Sequence, residues 1–124
     1  MINYLIVSAG AALGGALRYW LSNLVYKFFP VTFPYGTLVV NIIGSFILGL
    51  IIFIFAEKEL IGGQLKLFLT IGFCGGFTTF SSFSLETFSL IKDSEYLFAS
   101  VNIILSVLVC IAGVFLAYIV SKII

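Results

Sequence analysis

Long apolar runs alternate with short polar clusters along this chain, and the alternation has the length scale of a lipid bilayer. The polar breaks fall at Lys27, at Glu57-Lys58-Glu59, at Lys66, at Lys92-Asp93-Ser94-Glu95 and at Lys122. A helix of about 20 apolar residues crosses the hydrocarbon core. The four runs therefore predict spans over roughly Ile2–Tyr26, Tyr35–Ala56, Leu65–Ile91 and Tyr96–Ile123. Between the first two lies the loop Lys27–Pro34, where Pro30 stops one helix and Pro34 precedes the next. The Glu57–Lys66 linker is expected to turn at Gly62-Gly63. Connections this short predict that consecutive helices pack as antiparallel neighbours. No stretch is left for a soluble domain. The expectation is an all-α membrane protein with one four-helix transmembrane domain over residues 1–124.

Composition sharpens that picture. The chain is 62% hydrophobic and only 9% charged, whereas a soluble domain carries about a quarter of its residues charged. Its outer surface must therefore face something other than water. The first run could pass for a signal peptide, but it has no basic leading segment and stays apolar past Arg18 to Val25, so it is read as a retained span. Tyr4, Trp20, Tyr26, Tyr35, Tyr96 and Tyr118 stand near the span ends, where amphipathic rings suit the membrane interface. Cys74 and Cys110 both fall inside spans and are expected to be small buried hydrophobes without a disulfide. The chain has no histidine, which removes the commonest general base and metal ligand and argues against an enzyme.

The six basic residues give no orientation signal. Lys58, Lys66 and Lys122 fall on the side of the termini, and Arg18, Lys27 and Lys92 on the other. Membrane orientation follows Lys/Arg imbalance in short loops, and an even split allows insertion both ways. An antiparallel homodimer becomes a reasonable expectation. Glycines on the first three spans, Gly10 and Gly14 among them, suit close helix approach, because lipid supplies no hydrophobic drive for association.

Chemistry concentrates in the third run. Its centre reads Gly75-Gly76-Phe77-Thr78-Thr79-Phe80-Ser81-Ser82-Phe83-Ser84, two glycines followed by hydroxyls interleaved with phenylalanines. Such residues propagate a helix poorly, so the helix is expected to break here. The competing reading is an unbroken helix whose hydroxyls bond back to the preceding turn. Irregular backbone survives at membrane depth only where it is buried in protein or lines a wet cavity. Carbonyls freed there need partners, and a small cation is an effective one. Phe80 and Phe83, three apart, share a face if that segment is helical. The positive edges of their rings could line an anion's path without trapping it.

Two polar stripes flank this centre. Thr37, Asn41 and Ser45 recur every four residues on the second span, and Asn102, Ser106 and Cys110 do so on the fourth. Each stripe can glue helices together or, through amide and hydroxyl donors, wet a narrow path. Arg18 and Glu86 are charges within or near the spans, to be read either as a vestibule for ions or as structural charges.

The segments Gly14-Gly15-Ala16-Leu17-Arg18-Tyr19, Gly36 to Ser45 and Gly72 to Ser84 resemble the signatures of the Fluc (CrcB) fluoride channel family, and the resemblance runs from end to end. It implies an antiparallel, dual-topology homodimer with two pores that lets fluoride leave the cytoplasm passively. It implies a structural, untransported sodium ion at the dimer centre, held by the backbone carbonyls of Gly75 and Thr78. Phe80, Phe83 and Asn41 match residues of the fluoride path, and Ser81, Ser82 and Ser84 fall among its hydroxyls. Thr37, Asn102 and Ser106 join that path as stripe residues, and Arg18 matches the family arginine of the first span. Cys110 and Val114 are less polar than a fluoride track suggests. The implied setting is the inner membrane of a prokaryote, with fluoride, lipid and a second copy as partners and no nucleic acid. The rival readings are a small dual-topology multidrug transporter and a membrane scaffold. The first is disfavoured because the first span has no acidic residue.

Overall fold

The computed structural model describes residues 1–124. All four runs fold as helices long and apolar enough to cross a membrane. α1 covers Ile2–Val25. α2 covers Tyr35–Ala56, its last turns, Ile51–Ala56, widening to π-helix. The third span, Gly63–Lys92, is two helices. α3 (residues 63–77) runs through a π-helical stretch, Phe68–Cys74, and α4 covers Phe80–Lys92. α5 covers Tyr96–Ile123 without interruption.

Helix boundaries differ from expectation at the second linker. α3 opens at Gly63 with Gly62 as its extended N-cap, so Gly62-Gly63 is not the turn. The left-handed residue is Glu59, at φ 56°. The Leu60 N–H reaches back to the Phe55 carbonyl at 2.7 Å, and the Glu59 N–H to the Ala56 carbonyl at 3.1 Å. That is a Schellman closure, which satisfies carbonyls a helix end leaves orphaned. The same device ends α4. Ser94 sits at φ 62°, with Glu95 N–H on the Leu90 carbonyl at 2.7 Å. Gly62 and Gly63 are not needed, because the closing hydrogen bonds hold a non-glycine residue in the left-handed region.

Consecutive helices touch, yet the closest packing joins α1 to α3 and α2 to α5, pairs that run in the same direction. Glycine decides this. A Cβ at Gly10 would lie 2.9 Å from the Phe73 nitrogen, and one at Gly76 would lie 2.6 Å from the Ala11 carbonyl oxygen. Both distances are shorter than real side chains tolerate, so α1 and α3 meet backbone to backbone. Dispersion over such a seam is what associates helices in lipid. Gly49 on α2 plays the same part against Ala117 and Val114 of α5.

Only 21 of the 124 residues are buried, and long apolar side chains such as Leu5, Phe55, Leu85 and Leu108 stand exposed on every span. An apolar surface of that extent is one built for lipid or for another protein copy.

Candidate functional site: the break in the third span

Helix geometry fails at two residues. Thr78 (φ −92°, ψ 160°) and Thr79 (φ −151°, ψ 119°) are extended, and α4 restarts at Phe80. The expected break is present, within the Gly75–Ser84 segment. The reason lies in what waits around it. An extended pair at this depth releases backbone donors and acceptors that lipid cannot satisfy. Asn41 of α2 takes both polar groups of Thr79. Its Nδ2 donates to the Thr79 carbonyl at 3.0 Å, and its Oδ1 accepts the Thr79 N–H at 2.8 Å. From α1, Arg18 Nε donates to the Gly76 carbonyl at 3.0 Å. A fixed positive charge at the C-terminal end of α3 also favours that end of the helix dipole. The glycine seam that holds α1 against α3 is what brings Arg18 within reach.

The threonines complete the joint. Thr78 returns both its N–H and its hydroxyl to the Cys74 carbonyl, at 3.0 and 2.9 Å. The Thr79 hydroxyl oxygen accepts the Ser82 N–H at 3.1 Å and so caps α4, with the Ser81 hydroxyl 3.2 Å away. The Thr78 carbonyl takes part in none of these hydrogen bonds. Thr78 itself stands on the wall of a cavity.

That cavity, about 610 Å³, opens between α2, the third span and α5. Of the residues singled out from the sequence, Asn41, Gly75, Thr78, Phe80, Phe83 and Ser106 line it. The rings of Phe80 and Phe83 lie 5.4 Å apart, tilted by 46°. Phe80 leaves 78% of its surface free in the single chain, so most of that ring is left uncovered within the chain. Ser45, Thr79 and Cys110 also line the cavity. Ser45 and Cys110 belong to the two stripes visible in the sequence, and Thr79 follows directly on Thr78.

The remaining candidates lie off the cavity wall. Ser84 donates to the Phe80 carbonyl at 2.9 Å, the back-bonded state of the unbroken-helix reading, which Thr78 also adopts against Cys74 at the end of α3. Ser81 and Ser82 sit on the first turn of α4, engaged by Thr79. Asn102 is buried and donates from Nδ2 to the Thr87 hydroxyl at 2.9 Å, and Ser106 donates to Asn102 Oδ1 at 3.4 Å. The fourth-span stripe therefore runs from the cavity into a buried polar chain towards α4. Thr37 is buried beside Glu86, whose Oε1 is itself buried with no hydrogen-bond partner, and Tyr26 lies close by. A buried side-chain oxygen left unpaired is unusual in a folded protein, and sequence alone did not foretell it.

Fold and site together define a multi-pass membrane protein whose third helix is broken beside a cavity lined by hydroxyls, an amide and paired aromatic rings. Residues 5–118 match the family described as CrcB-like protein, Camphor Resistance (CrcB), and the chain belongs to that family. It is 48% identical to the fluoride-specific ion channel FluC of Geotalea uraniireducens (strain Rf4) over 122 residues, 98% of each chain. It is 47% identical to the protein of the same name from Coxiella burnetii (strain CbuK_Q154), again over 98% of each. A third relative of that name, from Geotalea daltonii, is 50% identical over 111 residues, 90% of each chain. These relatives are named as ion channels, in keeping with the non-enzyme reading of the sequence.

Proposed function

We propose that this chain is a fluoride channel, conducting passively along a path that includes the cavity beside the Thr78–Thr79 break. The observation that carries this is the cavity wall itself, where Asn41, Ser106, Phe80 and Phe83 meet. A strongly hydrated anion crosses a narrow passage only if replacement ligands stand along it. Hydroxyl donors, ring edges and the Asn41 N–H not engaged by Thr79 provide such ligands at moderate strength. No lysine or arginine side chain lines the cavity, so the ion is not held by a basic side chain.

The working unit is an antiparallel homodimer with two pores. The even distribution of basic residues and the exposed apolar faces, Phe80 among them, support this. The structural sodium ion fits the residues present. Gly75 and Thr78 both stand on the cavity wall, and the Thr78 carbonyl is not taken up by any hydrogen bond within the chain. Those carbonyls, one set from each copy, would hold the ion, which supplies positive charge to backbone oxygens freed by the break. The dimer resides in the inner membrane of a prokaryote and lowers cytoplasmic fluoride.

Purified protein in liposomes should release fluoride down its gradient, followed with a fluoride electrode, with no proton or nucleotide requirement and no matching chloride flux. Equal chloride flux, or none of either ion, would overturn the assignment. Replacing Phe80 and Phe83 together should abolish flux while the dimer survives, and crosslinking should recover antiparallel pairs.

A further inference from the structure

Three linkers join the four spans, and one is unlike the others. The linker after α2 opens with Glu57-Lys58-Glu59, and the turn between α4 and α5 is Asp93-Ser94-Glu95. Both are charged, as segments facing water are. The loop Lys27–Pro34 between α1 and α2 carries one charge, Lys27, and is otherwise mostly aromatic, aliphatic or proline. Two of its apolar side chains stand clear of the protein, Phe28 with 77% of its surface free and Val31 with 80%. They are not on a loose tether. Phe33 is buried beneath them, its ring 5.0 Å from that of Tyr35 and 5.7 Å, edge-on, from that of Phe98. The backbone N–H groups of Lys27, Phe28 and Phe29 return to the Leu24 and Val25 carbonyls at 3.0 to 3.1 Å. Pro30 and Pro34 have no N–H to place. The N–H groups of Val31, Thr32 and Phe33 meet no backbone carbonyl of the chain.

We propose that this loop is a membrane-surface anchor, inserting Phe28 and Val31 into the lipid leaflet at the level where headgroups meet acyl chains. Two opposing demands set that depth. Backbone donors without partners cannot lie in hydrocarbon, so the loop backbone stays among water and headgroup oxygens. Large apolar side chains held outwards by a packed base gain free energy by leaving water, so they dip into the acyl chains below, as the apolar face of an interfacial helix does. Lys27 stands beside them, where its ammonium can meet lipid phosphate. The neighbouring surface is of the same kind, with Trp20, Tyr96 and Leu97 exposed on the helix ends around the loop. Lipid suits this patch better than a second copy of the chain. The break at Thr78–Thr79, about which two copies are proposed to meet, falls at the middle of the third span, whereas the loop joins two span ends at the membrane surface. Anchored in this way, the loop ties the ends of α1 and α2, the helices that bring Arg18 and Asn41 to the break, to one face of the bilayer.

The chain's single tryptophan, Trp20, makes a depth measurement straightforward. In a Trp20→Phe background, Phe28→Trp and Val31→Trp each place one fluorophore on the loop, and Asp93→Trp places one on the charged turn at the same membrane surface. The full chain is reconstituted into phosphatidylcholine vesicles, either plain or brominated at upper or terminal acyl positions, and each variant is first checked for wild-type elution in detergent. Both loop variants should emit to the blue of the Asp93→Trp protein. They should lose most of their fluorescence to upper-chain bromines, less to terminal bromines, and little to aqueous iodide. Asp93→Trp should show the reverse, quenched by iodide and spared by bromines. Should Phe28→Trp fail to fold, Val31→Trp carries the same test. Iodide quenching of the loop variants equal to that of Asp93→Trp overturns the anchor, because the loop then lies in water. Protection from both quenchers overturns it as well, because the patch is then covered by protein, a second copy included.

Discussion

The third and fourth spans have nearly the same length, 30 and 28 residues, and both carry hydroxyls and small residues in their middle turns, yet only the third breaks. In α5 the polar groups satisfy one another through side chains. Ser106 bonds to Asn102 and Asn102 to Thr87, and the backbone ladder stays intact. In the third span the backbone itself opens at Thr78–Thr79, and groups from two other helices meet what is released. Hydroxyl content is therefore not what opens a helix in a bilayer. A break persists where partners for its freed N–H and C=O groups are already positioned, because each group left unpaired in lipid costs several kcal/mol.

The most direct way to break this contrast is at Asn41. Asn41→Ala strands both backbone groups of Thr79, and the expected loss is about 2–6 kcal/mol, from two groups at about 1–3 kcal/mol each. Denaturant unfolding in detergent, compared with the wild type, measures it. A loss below the effect of an ordinary surface substitution would mean the break is not held by this clamp. Arg18→Lys should come next. Lysine keeps the charge but lacks the Nε–H that meets Gly76, and the expected loss is about 1.5–3 kcal/mol, the range for a hydrogen bond to a charged group. Unfolding in the same detergent tests it, and equal stability would show that charge alone suffices. The smallest effect belongs to the fourth span. Ser106→Ala removes a 3.4 Å contact and should lower stability by about 0.6 kcal/mol or less. A loss matching that of Asn41→Ala would erase the distinction between the two spans.

Much of this was legible beforehand. The four spans were readable because apolar run length is a one-dimensional property set by bilayer thickness. The break was readable because glycines and threonines stand where a spanning helix needs good propagators. The resemblance to the fluoride channel family pointed to the cavity-lining residues Phe80, Phe83, Asn41, Gly75 and Thr78. The role of Asn41 was only half visible. An amide on a polar stripe was expected to face an anion, and it does line the cavity, but it also clamps the Thr79 backbone, which only the approach of α2 to the third span could reveal. Arg18 was open between vestibule and structure, and its bond to Gly76 gives it a structural task. The helix-end turns escaped prediction for a different reason. Glycine advertises a left-handed residue, but Glu59 and Ser94 are held there by the closing hydrogen bonds of each helix end.

From its residues alone, then, this chain determined that it is a four-helix membrane protein and where its third helix is weakest, since both follow from local transfer energies and helix propensities. Which helices press together was decided only in three dimensions. The glycines of α1 and α3 could have served any partner, and it is backbone contact at Gly10 and Gly76 that selects one. That choice carries Arg18 to the broken end, and the approach of α2 carries Asn41 to Thr79. Freed peptide groups in a medium without water can be satisfied only by what packing brings near them.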